Sequence, residues 1–128
     1  MRLLLDTHIL LALIEGRLAG LPAGVQALLR DPDNEYHLSA ASLWEIAIKS
    51  RLGKLRLRPS LKALPELLDN LGIAIVPINE HHALAAVEPE PKTRDPFDRM
   101  LLAQCQIEGL RLVTTDRALV SHPVAARP

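Results

Sequence analysis

Short apolar runs alternate along this chain with segments of helical periodicity, and that alternation leaves few folds open to it. Arg2 to Leu5 has strand length, and a helix is expected from Thr7 to Glu15, stopped by Gly16. Pro22 to Leu29 reads as a short helix, and Asp31-Pro32-Asp33-Asn34 as a turn. Glu35 to Leu38 is the next strand candidate, and Ser42 to Leu52 is a helix with Gly53 as its cap. Leu61 to Leu71 is a further helix, and Ile73 to Val76 a β-branched strand. Glu80 to Val87 is a short helix, and Glu88 to Lys92 a loop broken by proline. Pro96 to Glu108 is the clearest helix, followed by Gly109, a strand from Leu110 to Thr114, and a turn from Asp116 to Val120. Strands alternating with helices predict a parallel sheet, joined by right-handed crossovers and covered by the helices. In such sheets ligands bind beyond the carboxyl ends of the strands.

The 128 residues suit one compact domain, and 48% hydrophobic content excludes disorder. The single cysteine, Cys105, rules out an intrachain disulfide and suits a reducing, cytoplasmic setting. No apolar run approaches the roughly 18 residues of a membrane helix, and Asp6 arrives too early for a signal peptide. Formal net charge is zero, so any hold on nucleic acid must come from a local patch. With one Trp, one Tyr and one Phe, a base-stacking surface of several aromatics is hard to build.

Carboxylates fall at the joints of this pattern. Asp6 follows the first strand and Asp116 the last. Glu45 is expected in the first turn of the helix opening at Ser42, and Asp98 in the first turn of the one opening at Asp95. Parallel strands would bring Asp6 and Asp116 out at one edge, and the connecting loops could deliver Glu45 and Asp98 there too. Each acid alone has a structural reading. Ser42-Leu43-Trp44-Glu45 has the form of a capping box, and Asp95-Pro96-Phe97-Asp98 repeats it with proline at the first helical position. Capping does not account for the joint pattern. Two carboxylates about 4 Å apart repel by about 4 kcal/mol at an effective dielectric of about 20. A cation relieves that repulsion, as does protonation. Oxygen-only ligands suit Mg²⁺ or Mn²⁺, which support phosphodiester hydrolysis by acidifying a bound water and screening the phosphate.

Four segments carry these acids in order: Leu3-Leu4-Leu5-Asp6-Thr7-His8, Ser39 to Lys49, Arg94 to Gln104, and Leu112-Val113-Thr114-Thr115-Asp116. Together they resemble the PIN-domain nucleases, and within them the VapC-type toxins, over nearly the whole chain. The resemblance implies a three-layer α/β/α sandwich with a central parallel sheet, one PIN-like domain over residues 1–128, usually dimeric. It implies an endoribonuclease that uses Mg²⁺ or Mn²⁺ to cut RNA until a cognate antitoxin protein blocks it. Asp6 and Asp98 would be the central metal ligands, and Glu45 and Asp116 would complete the catalytic pocket. No acid of the pattern is missing, and Asp95 is an additional carboxylate, read first as a helix cap.

Supporting residues are expected around this set. Thr7 could cap the helix after Asp6 or reach a water on the metal, and Thr115 could orient Asp116. Arg99 could pair with the acids or touch phosphate, a surface salt bridge being its simpler use. Lys49, Arg51, Lys54, Arg56 and Arg58 form the one concentrated basic stretch. It is either a phosphate-contacting surface, with Lys49, Arg51 and Lys54 as the RNA contacts, or a solvated helix end whose cations suit the dipole. Two other readings stay open. A receiver-like phosphoryl-transfer domain would carry paired acids early and a lysine after a late strand, whereas Asp6 stands alone and no lysine follows Asp116. A toxin-like fold kept only for binding would present its apolar first helix, Ile9 to Ile14, to a partner.

Overall fold

Leu3 and Leu5 point to one side of the first strand and Leu4 to the other, and all three are fully buried. Period-two alternation therefore puts a covered face on each side of the sheet, as a parallel sheet requires. The computed structural model describes residues 1–127. Its strands are β1 (Arg2–Leu5), β2 (Glu35–Ser39), β3 (Ile73–Val76) and β4 (Arg111–Val113), all parallel, in the order β3-β2-β1-β4. One face packs against α1 (Thr7–Ile14), α2 (Ala23–Arg30), α3 (Ala40–Arg51) and α4 (Leu64–Asn70), through Ile9, Leu10, Val25, Leu28, Ile46 and Leu68. The other packs against α6 (Pro96–Glu108), through Leu101, Leu102 and Cys105. The short α5 (Glu80–Leu84) lies beside α6. The expected α/β architecture with its parallel sheet between helices is the one the chain adopts.

The order of the strands positions the site. The chain lays down β1, then β2, then β3 to one side, and returns to place β4 on the other side of β1. The connection out of β1 covers one face and the connection into β4 covers the other, which puts a topological switch point between their carboxyl ends.

Several boundaries differ from expectation, each for a tertiary reason. β2 runs straight into α3, so the helix starts at Ala40 with Ser39 as its cap, Ser39 Oγ accepting from Ala41 N–H at 2.9 Å. Ser42 is therefore inside the helix, and the capping box expected from Ser42 and Glu45 does not form. α5 ends at Leu84 rather than Val87, because Ala85 turns extended (ψ 136°) and carries Val87 into the core beside α6. β4 starts at Arg111 because Leu110 N–H bonds back to Cys105 O around Gly109, whose positive φ of 67° closes α6. Among the described residues, no helix is long and apolar enough to cross a membrane.

Leu4→Ala should lower the unfolding free energy by about 2–5 kcal/mol in urea titration. Leu52→Ala, at a side chain on the surface, should change it by no more than about 0.5 kcal/mol.

Candidate active site

Asp6 is where β1 ends and α1 begins. Its N–H donates to Val113 O on β4 at 3.0 Å, and its Oδ1 caps α1 by accepting from Thr7 N–H at 2.7 Å. The cap is thus Asp6, not Thr7. Thr7 is the first helical residue, and its Oγ1 donates to Ser42 Oγ at 2.9 Å, pinning α1 to α3. The other oxygen of Asp6, Oδ2, accepts from Thr114 Oγ1 at 2.7 Å. The same Thr114 hydroxyl accepts from Asp116 N–H at 3.0 Å. One hydroxyl at the end of β4 therefore sets both acids. Thr115, expected to do this for Asp116, is exposed, while Thr114, the first residue past β4, is buried.

Asp98 arrives from α6. Asp95 caps that helix, its Oδ1 accepting from Phe97 N–H at 2.8 Å, with Pro96 at the start of the first turn. Asp98 does not reach back to the cap. Its Oδ2 accepts instead from Thr93 Oγ1 at 3.0 Å, and the same oxygen of Thr93 accepts from Asp95 N–H at 3.1 Å. Thr93 so holds for Asp95 and Asp98 the place that Thr114 holds for Asp6 and Asp116. Nothing in the local sequence around Thr93 singles it out. Arg99 turns away from the acids and grips Glu90, with 2.6 Å and 3.3 Å contacts, which makes it a surface pair and not a pocket member.

Glu45 sits in the second turn of α3, buried, with Lys49 donating to its Oε2 at 2.8 Å. Of the three basic candidates, Lys49 alone stands among the acids. Its ammonium is held charged above the ordinary lysine range chiefly by Glu45, against desolvation, with Asp95 and Asp98 adding to the effect. Arg51 and Lys54 are exposed, farther along α3 and past its end.

The acids share one electrostatic field. Burial raises the Asp6 carboxyl above its usual range, with the Asp116 charge adding, while the Thr114 hydrogen bond works against it. Asp98 is pushed up to about 6, first by burial and then by the charges of Asp95, Asp6 and Asp116, against the Thr93 hydrogen bond. Such mutual repulsion suits a group of acids built to receive positive charge. Among the described residues, no three His, Cys, Asp or Glu side chains are clustered closely enough to enclose an ion. The donors are oxygens only, so the set fits a hard cation that takes one or two carboxylates and keeps much of its water, as Mg²⁺ does. An apolar cavity of about 310 Å³ lies beside Thr114 and Thr115, lined by Val25, Leu28, Val113, Val120 and Ala125, and holds none of the acids.

This topology finds a counterpart among known proteins. The PIN domain model matches residues 3–123 of the chain. The chain belongs to the PIN domain family. Proteins of this family are typically nucleases that use a divalent metal. Among solved structures, this PIN chain is similar to a "Toxin-antitoxin complex from Klebsiella pneumoniae", at 24% identity and a TM-score of 0.66, over 98% of this chain and 96% of that one. No curated protein matches the chain significantly.

The raised carboxyls give a sign for the pH dependence. Between the unfolded value and about 6, the folded PIN domain binds more protons at Asp98 than the unfolded chain does, and Asp6 acts in the same direction. Stability of the metal-free protein contributed by these groups therefore falls as pH rises through that window, and the cost is complete above it. Asp98→Asn should raise Tm at pH about 7.5 and flatten the slope between pH about 4.5 and about 6.5, read by calorimetry without metal. A steeper slope in the variant would contradict this.

Proposed function

We propose that the chain is a metal-dependent endoribonuclease, the toxin of a toxin–antitoxin pair of the VapC type. The observation that carries this reading is the meeting of Asp6, Asp98 and Asp116 at the carboxyl edge of a PIN sheet, beside its topological switch point. The neighbour's printed description as a toxin–antitoxin complex supports the toxin role and an antitoxin partner. In this reading the protein works in the cytoplasm as a homodimer.

Asp6 and Asp98 would hold Mg²⁺ or Mn²⁺, with Asp116 and Glu45 completing the pocket. The bound cation would supply a water made acidic enough to attack phosphorus and a counter-charge for the phosphate. The chain's own residues do the rest. Thr114 and Thr93 fix the carboxylate oxygens they donate to, leaving the remaining lone pairs for the ion. Lys49 neutralises Glu45 and presents a cation toward Asp95 and Asp98, where a scissile phosphate would also sit. No side chain is required as a covalent nucleophile.

Purified chain free of antitoxin, incubated with a structured RNA pool, should cut in Mg²⁺ or Mn²⁺ and stop in EDTA. Asp98→Asn should lower the rate by more than the about 10–100-fold lost with an outer-shell partner, while its circular dichroism stays unchanged. Mn²⁺ should raise Tm of the wild type at pH about 7.5 more than that of the variant. Absence of cutting together with absence of a metal-induced shift would move the assignment to a binding module that pairs with an antitoxin without catalysis.

A further inference from the structure

Trp44 and Phe97 are the chain's only tryptophan and only phenylalanine, and they meet edge to face, with ring centroids 5.7 Å apart and planes at 75°. Trp44 directly precedes Glu45 on α3, and Phe97 directly precedes Asp98 on α6. The Cα of each ring residue is therefore about 3.8 Å from the Cα of an acid of the site. Trp44 is 61% exposed, although an indole gains more from burial than most side chains do. An edge-to-face contact takes up at most one face of either ring, so Phe97 braces the indole and leaves it a face to water. The core is served from the other side of α3, by Ile46.

A row of cations starts from the same side of the helix. Arg51 follows Trp44 at i+7, two turns on, which puts it on the Trp44 side about 10 Å farther along the axis. Past the helix, Lys54, Arg56 and Arg58 are exposed, while Leu55 and Leu57 among them pack against the core. No acid occurs between Lys49 and Lys62, and among the described residues none of these four cations is in an ion pair. Unpaired cations in a row repel one another, and a strand of phosphates relieves that repulsion. The ring beside them offers what every base can use once it is free of its own stack, an open π-face. We infer that the outer side of α3 is a track for single-stranded RNA, with an unpaired base stacked on Trp44 and neighbouring phosphates held by Arg51 and Lys54.

The track deepens the nuclease reading and rests on it for the choice of RNA. The acids repel a polyanion, so the strand must be held beside them rather than by them. Trp44 supplies a hold that is indifferent to charge next to Glu45, and the cations supply the attraction farther along, clear of the acids. Two aromatics suffice for this, because one braced ring seats one base.

Emission of the sole tryptophan reports the stack directly. Wild-type chain in EDTA, at fixed concentration, is titrated with a single-stranded RNA of about 12 nucleotides that lacks self-complementarity, and with the same strand annealed to its complement. The single strand should quench Trp44 and the duplex should not, because its bases stay in their own stack. Binding by Trp44→Ala, read by anisotropy of a labelled strand, should weaken by about 5- to 150-fold with unchanged circular dichroism, while Trp44→Phe keeps most of the affinity. Arg51→Ala should reduce the slope of log K against log salt by about 0.7. The Mn²⁺-induced rise in Tm should stay at its wild-type value in Trp44→Ala, because the acids are untouched. Absence of quenching overturns the stack, as does equal quenching by the duplex or a Trp44→Phe chain as weak as Trp44→Ala. Emission that moves with protein concentration before any RNA is added gives the ring to a second copy and overturns the track. An unchanged salt slope in Arg51→Ala overturns the phosphate contact. Quenching by the single strand without cutting in Mg²⁺ or Mn²⁺ would overturn the nuclease reading and leave the track in place, and cutting without quenching would do the reverse.

Discussion

A single hydroxyl, that of Thr114, joins the carboxyl ends of β1 and β4. It donates to Asp6 and accepts from the backbone of Asp116, so two strands on either side of the switch point are locked by one buried oxygen. Asp6 needs that partner. A carboxylate at 4% exposure is costly to ionise, and its two hydrogen bonds, from Thr7 N–H and Thr114, offset part of the loss of water. Around this fixed point the other acids are added from separate helices, each held by a neighbour of its own: Asp98 by Thr93 and Glu45 by Lys49. Each acid is thus restrained by a partner of its own against the repulsion of the others.

Much of the fold can be read without coordinates where local signals agree. Pro96–Glu108 is right at both ends because cap, proline and left-handed glycine all lie in the sequence itself. The α3 start is not legible in the same way. Ser39 and Ser42 are both good caps, and the choice between them depends on where β2 stops pairing with β3, which is a tertiary fact. Thr114 and Thr115 look equivalent in a row, yet only the path of the chain just past β4 decides which hydroxyl reaches Asp6. Arg99 is a third case. Its partner Glu90 is nine residues away across a proline-rich loop, so no periodicity links them.

The site differs in kind from the cavity beside it. The apolar cavity near Val25 and Val113 has walls but no chemistry, and the acids lie outside it. Lys49 is the acids' own counter-charge. Bonded to Glu45 at 2.8 Å, it supplies positive charge where water would otherwise be the only solvent for the acids.

Ser39 belongs to two elements at once, the last residue of β2 and the cap of α3, with no loop between them. That junction works as a rigid crank. Side chains follow one another around a helix by about 100° per residue, so one residue inserted between strand and helix would swing the whole of α3 by that angle. Glu45 would leave the acids, Ser42 would lose Thr7, and Ile46 would rotate out of the core together. Length could be added to the segment after Arg51 at little cost, whereas the join at Ser39 accommodates a change of side chain but not of length.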